Sequence, residues 1–177
     1  MSNPLTAIDP HTTLDLTTLR TAMMSPFFGV DPTKPSTRGA KWEFTLHSRK
    51  TNTHLTFKSS RPKGWASNGP VLISVMNGGE DEWRYIGSVS PSTGDFKVSP
   101  RVGNYVAGGR VDKAIRTMMW LTTLTTDPAD LGIYGTCSCS RCGRKLTNPD
   151  SINAIYGPEC RKQMNTSTPA GFKDHAN

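Results

Sequence analysis

No apolar run in the chain approaches the roughly eighteen residues a membrane span requires, so the sequence predicts a soluble, cytoplasmic protein with no membrane partner. Hydrophobic residues make up 34% and aromatics 8% of 177 residues. That shortage predicts that part of the chain is tail rather than core. Cysteine is scarce, and all of it falls between Cys137 and Cys160. No secretory signal precedes it, so a disulfide framework has no oxidising compartment in which to form. The chain also lacks a glycine-rich phosphate loop, an H-E-x-x-H pair, a G-x-S-x-G elbow and a dinucleotide fingerprint. No small-molecule substrate is indicated.

What is there begins with Cys137, Cys139 and Cys142, followed later by Cys160. Cys139 and Cys142 form a C-x-x-C-G knuckle, whose spacing lets both thiolates turn onto one point, with Gly143 permitting the tight turn. Cys160 follows Gly157-Pro158, which reads as the entry to a short helix with Pro158 in its first turn. A thiolate there gains from the positive helix end. Three sulfurs then converge on one tetrahedral centre, with Cys137 the obvious fourth, and the set reads as a structural Zn2+ site. A redox C-x-x-C is the rival reading, but no thioredoxin-like βαβ unit accompanies it. C-x-C strains the loop, so His175 or another histidine is the alternative fourth ligand. Four thiolates would close the coordination sphere, leave no position for water and make the ion a poor Lewis acid.

Cys139, Cys142, Gly143, Arg144, Leu146, Thr147, Ser151, Gly157, Pro158 and Cys160 together resemble a small zinc-binding domain of unknown function. That domain is common at the C-terminus of uncharacterised bacteriophage and prophage proteins. One family glycine, two before Gly157, is Ile155 here. The strand region from Val71 to Phe96, with Asn77-Gly78-Gly79-Glu80-Asp81-Glu82 inside it, is loosely similar to such phage proteins. The resemblance implies a phage-encoded chain working in the host cytoplasm, and very little about activity.

Leu16, Leu19 and Met23 recur at helical spacing and predict a helix over about 12–24, capped by Asp9 or Thr12. Its apolar stripe packs on the main body or binds a partner; packing is the blander reading. Residues 25–40 carry Pro26, Pro32, Pro35, Gly29 and Gly39 and read as a linker. Trp42, Phe44 and Leu46 alternate with polar residues, and Leu55 and Phe57 continue that face across a polar turn, predicting a hairpin. Val71–Met76 suits a central strand. Trp83, Tyr85 and Val89 alternate on the next strand, and Phe96 and Val98 end the series. Val111, Ile115, Met118 and Met119, widened by Trp120, Leu121 and Leu124, predict a helix over about 110–125 that buries the open side of the sheet. The expected fold is α+β: an antiparallel meander of about five strands with a packing helix, then a small treble-clef-like or ribbon-like zinc module. The expected divisions are 1–40 (helix and linker), 41–130 (meander and helix), 131–164 (zinc module) and 165–177 (tail).

The formal net charge is +7, and residues 41–110 hold ten basic against five acidic side chains. That excess favours a polyanionic partner. Arg49 and Lys50 at a hairpin tip, Arg61, Lys63 and Trp65 in one loop, Arg101, Tyr105 and Arg110 in a glycine-containing loop, and Arg141, Arg144 and Lys145 around the knuckle are the candidate nucleic-acid contacts. Cations neutralise phosphates, while an exposed Trp or Tyr stacks on an unpaired base. For each group the plain alternative is a solvated surface; Trp65 could equally close the core, and Arg144 could bond knuckle carbonyls. The first functional reading is a non-enzymatic accessory protein that binds single-stranded or structured nucleic acid. The second is a module that docks on a host protein. A nuclease built on His47, His54 and Glu43 is the third, and an ordinary solvated sheet face explains those residues more simply. Glu80-Asp81-Glu82 likewise reads as a charged hairpin tip.

Overall fold

In a computed structural model the described residues are 13–24, 40–62, 69–79, 82–135, 137–139, 142, 144–154 and 156–166. The expected linker over 25–39, most of the tail, Asp9, Thr12, Lys63, Trp65, Glu80, Asp81, Arg141, Gly143, Ile155, His11 and His175 lie outside them.

The sheet grows from the alternation of apolar and polar residues in β1 (Ala40–Ser48) and β2 (Thr53–Arg61). Their register sets Phe44 opposite Phe57 and Leu46 opposite Leu55 on one face. Thr45 opposite Thr56, Glu43 opposite Lys58 and His47 opposite His54 occupy the other. β3 (Val71–Met76), β4 (Trp83–Val89) and β5 (Phe96–Val98) extend the meander on the β2 side. A sixth strand, β6 (Leu131–Gly135), returns to the opposite edge and pairs antiparallel with β1. The order is therefore β5-β4-β3-β2-β1-β6, one strand more than the sequence suggested.

The register changes between Ile73 and Ser74, leaving Ile86 of β4 as an extra, fully buried residue. This bulge corrects the expectation that Trp83, Tyr85 and Val89 share a face. Val89 and Gly87 stay with the core residues Val71 and Ile73, while Trp83 and Tyr85 pair with Met76 and Ser74 on the second face. Gly87 has no room for a side chain, since a Cβ there would lie 2.3 Å from the Lys97 carbonyl oxygen.

Two helices cover the first face. α1 (Leu16–Met24) buries Leu16, Leu19 and Met23, and α2 (Arg110–Thr123) buries Ala114, Ile115, Met118 and Leu121 in the same cluster as Phe44, Phe57, Ile73 and Ile86. Asp15 caps α1, its carboxylate accepting from Thr18 N–H at 2.6 Å. The N-terminus of α2 is tied back by Asp112, whose carboxylate accepts from Gly108 N–H at 2.9 Å. Its C-terminal carbonyls, which lack intrahelical donors, receive the Arg20 guanidinium, 3.0 Å from the Leu121 oxygen. Met119 and Trp120, expected in the apolar stripe, are 52% and 43% exposed. Among the described residues no helix is long and apolar enough to cross a membrane.

The α1 stripe is thus part of the core. Leu19→Ala, at a position with no solvent exposure, is expected to cost about 2–5 kcal/mol in denaturant unfolding. A loss below ~1 kcal/mol would mean that α1 contributes little to the fold.

Candidate metal centre and cationic surface

After β6 the chain makes a two-residue ladder, with β7 (Cys137–Ser138) antiparallel to β8 (Lys145–Leu146). The knuckle lies between them and is closed by Cys139 N–H donating to the Arg144 carbonyl at 2.7 Å. Asn148 opens α3 (Pro149–Ala154), its side-chain oxygen accepting from Asp150 N–H at 2.8 Å, with Pro149 in the first helical position. α4 (Pro158–Thr166) begins at Pro158 as the sequence implies, and carries Cys160 in its first turn. The Arg161 guanidinium ties α4 to α3 by donating to the Asp150 carbonyl at 2.8 Å. The order is therefore strand, knuckle, strand and two short helices, with Cys160 on the second helix.

The sulfurs of Cys139, Cys142 and Cys160 all lie within 4.8 Å of one another. Tetrahedral thiolates at ~2.3 Å from an ion would sit about 3.8 Å apart, so this set could hold one metal ion. Cys139 is buried, Cys160 half-buried and Cys142 exposed. The Cys160 thiol is pushed up to about 11, first by its hydrogen bonds to Cys142 and Cys139, then by burial and the neighbouring thiolates. Cys137 holds the β7 position opposite Leu146; its side chain is outside the described atoms.

A small core supports this centre: Tyr134, Cys139, Leu146 and Ile152, with Tyr156 and Cys160 against it. Tyr134 is in β6 and folds over Gly132, where a Cβ would come within 2.8 Å of its ring. The second anchor is ionic. Lys145 Nζ lies 2.7 Å from the carboxylate of Glu43, a β1 residue 8% exposed. Lys145 and Lys58 also stand over the Trp83 ring, at 5.6 and 4.4 Å. The module is therefore held to the second face of the sheet.

This arrangement redistributes the candidate nucleic-acid contacts. Arg61 is 3% exposed, and burial lowers its affinity for a proton, so it is removed from the surface set. Lys145 is half-buried against Glu43 and faces the sheet. Arg49 stays exposed but donates to the Ala129 carbonyl at 2.8 Å. Lys50, Arg101, Arg144 and Tyr105 are exposed, in three different segments of the chain. His47 and His54 do face each other, yet His47 is bonded to Asn52 at 3.0 Å and Glu43 is taken by Lys145. His54 is held toward its neutral form, first by burial, then by Arg110 and His47.

The more concentrated cationic feature is one of which the sequence reading named Arg110 alone and missed Lys113 and Arg116. Arg110, Lys113 and Arg116 recur every third residue of α2, are exposed, and line a groove of about 630 Å³ with Asn52, His54 and Thr117. No carboxylate lines it, although Arg116 is paired from behind with Asp112 at 3.0 Å. The spacing R-x-x-K-x-x-R was the available signal.

Residues 129–165 match a family of unknown function (DUF6011). The matched segment starts just before β6 and ends in α4, so it spans the three clustered cysteines and one strand of the main sheet. No curated protein and no solved structure matches the chain.

Because Glu43 is buried, Lys145→Met is expected to cost about 1–3 kcal/mol. Lys145→Met combined with Glu43→Leu should recover part of that loss in a double-mutant cycle. Additive losses would show that the pair is not coupled.

Proposed function

We propose that the protein is a non-enzymatic nucleic-acid-binding accessory protein of bacteriophage type, with a structural Zn2+ in its C-terminal module. The observation that carries the nucleic-acid reading is the row Arg110, Lys113 and Arg116, set in a groove lined by no carboxylate, on a chain of net charge +7. Phosphate oxygens are the ligands such a row suits, since each cation releases a condensed counterion on binding. The phage assignment draws on the cysteine-region resemblance.

Zn2+ is the ion favoured by a soft, thiolate-rich donor set in a knuckle-and-helix frame. Cys139, Cys142 and Cys160 would hold it, and Cys137, two residues before Cys139, is the proposed fourth ligand. A closed thiolate site leaves no position for substrate, so the ion organises the module and performs no chemistry. The second reading, docking on a host protein, is favoured by Met119 and Trp120 standing exposed side by side on α2. A partner captured from host lysate that survives nuclease treatment would support it.

Two measurements test the main reading. Affinity for a short oligonucleotide should fall as salt rises with a log–log slope of about −2 for three phosphate contacts, and Lys113→Gln should reduce that slope by about 0.7. A salt-independent affinity, or a variant identical to wild type, would remove the groove from the reading. Native mass spectrometry should show a single Zn2+ per chain, lost on Cys160→Ser and on chelation, with a lower melting temperature for the stripped protein. A metal-free preparation melting at the same temperature would contradict the structural role.

A further inference from the structure

β3 ends at Met76, and its ladder with β2 runs only from Phe57 to Ser60. The first residues of β2, Thr53 to Leu55, therefore have β1 on one side and no β3 partner on the other. The N-terminus of α2 enters that space, and Arg110 is fixed there by donating from Nε to the Met76 carbonyl at 2.6 Å. The cationic groove is the gap between this half-open end of β2 and the outer side of α2.

The groove does not end at Arg116. Thr53, Leu55 and Thr117 also line a second cavity of about 420 Å³, so the two adjoin. The second cavity has a different character. Leu46, Leu55, Leu131 and Pro128 form its walls, and the half-exposed Trp120 ring stands at its edge. Lys50 lies on its hairpin side, and Asp130 is the one carboxylate in its lining. A cationic groove thus lies beside an apolar pocket that Trp120 helps to line, both along α2.

A nucleotide has this division of chemistry, with a charged phosphate joined to a flat, weakly polar base. Duplex nucleic acid keeps its bases stacked inside and offers nothing for the apolar half. We infer that this groove binds single-stranded nucleic acid, with phosphates on Arg110, Lys113 and Arg116 and an unpaired base held in the pocket against Trp120. The inference rests on the nucleic-acid reading above and adds the apolar pocket, the stacking residue and the preference for unpaired over duplex strands. Exposed Trp120 then has a use.

The test uses the full chain and four probes of equal length: a thymidine DNA strand, a uridine RNA strand, an abasic strand and a duplex. A base-bearing strand of either sugar should bind more tightly than the abasic strand and the duplex. Trp120→Ala should weaken binding of the base-bearing strands about 5- to 100-fold and leave the salt slope unchanged. The abasic strand should not sense that substitution. Trp120→Phe, which keeps a ring, should restore most of the affinity and guards against a general loss of fold; melting of both variants is followed alongside. Equal affinity for abasic and base-bearing strands, or no effect of Trp120→Ala with an intact salt slope, would overturn the pocket while leaving phosphate binding in place. Failure of wild type to bind any probe would overturn both.

Discussion

The pairing of β6 with β1 is the contact on which the placement of everything after α2 depends. Five residues of β6 lie against Phe44 to Ser48, from Phe44 opposite Gly135 to Ser48 opposite Leu131. Backbone hydrogen bonds reinforce it from both sides: Leu14 N–H donates to the Ile133 carbonyl and Arg49 N–H to that of Asp130, each at 2.8 Å. With β6 held, Ile133 faces the helix-covered core and Tyr134 the other side, so one strand serves both hydrophobic clusters. The cysteine knuckle follows within a few residues and can only be built over the second face. There it finds Glu43, whose burial requires a cation, and supplies Lys145.

The parts that were legible in the sequence share a property: local pattern and burial agreed. The β1–β2 hairpin alternates cleanly, α1 and α2 carry apolar stripes, and Gly157-Pro158 announces α4. The convergence of Cys139, Cys142 and Cys160 followed from spacing alone. β6 was illegible because its sequence, Leu-Gly-Ile-Tyr-Gly, holds two glycines and resembles a loop; its strand state is imposed by the edge of β1. The Ile86 bulge left no local mark either, and it moved Trp83 and Tyr85 to the second face. Periodicity read Met119 and Trp120 as buried, but the α2 stripe is narrower and leaves both in solvent. α3 was missed although Asn148-Pro149 is a helix-start signal, because six residues are too few to show a helical apolar period.

Charged residues were the least readable class. Arg61 and Lys145 look like surface cations on composition, and both are turned into the protein. Arg110 was a candidate from the sequence, but Lys113 and Arg116 were not joined to it, although the expected helix over 110–125 would have set all three along one side. Their groove also needs the open end of β2, which no local pattern shows. A cation's use depends on which carboxylate folds beside it, and that is a property of register: Glu43 meets Lys58 and Lys145 because β1, β2 and β8 are where they are.

The dual membership of β6 bears on how this protein can be divided. A fragment cut at residue 131 to isolate the cysteine region would take the outermost strand of the main sheet with it. The remainder would present the long, apolar-backed edge of β1, with Phe44 and Leu46 beside a row of unpaired amides and carbonyls. Such an edge invites another chain to pair with it. Dissection therefore has to keep residues 129–135 with the N-terminal part, or it will turn a folded sheet into a template for self-association.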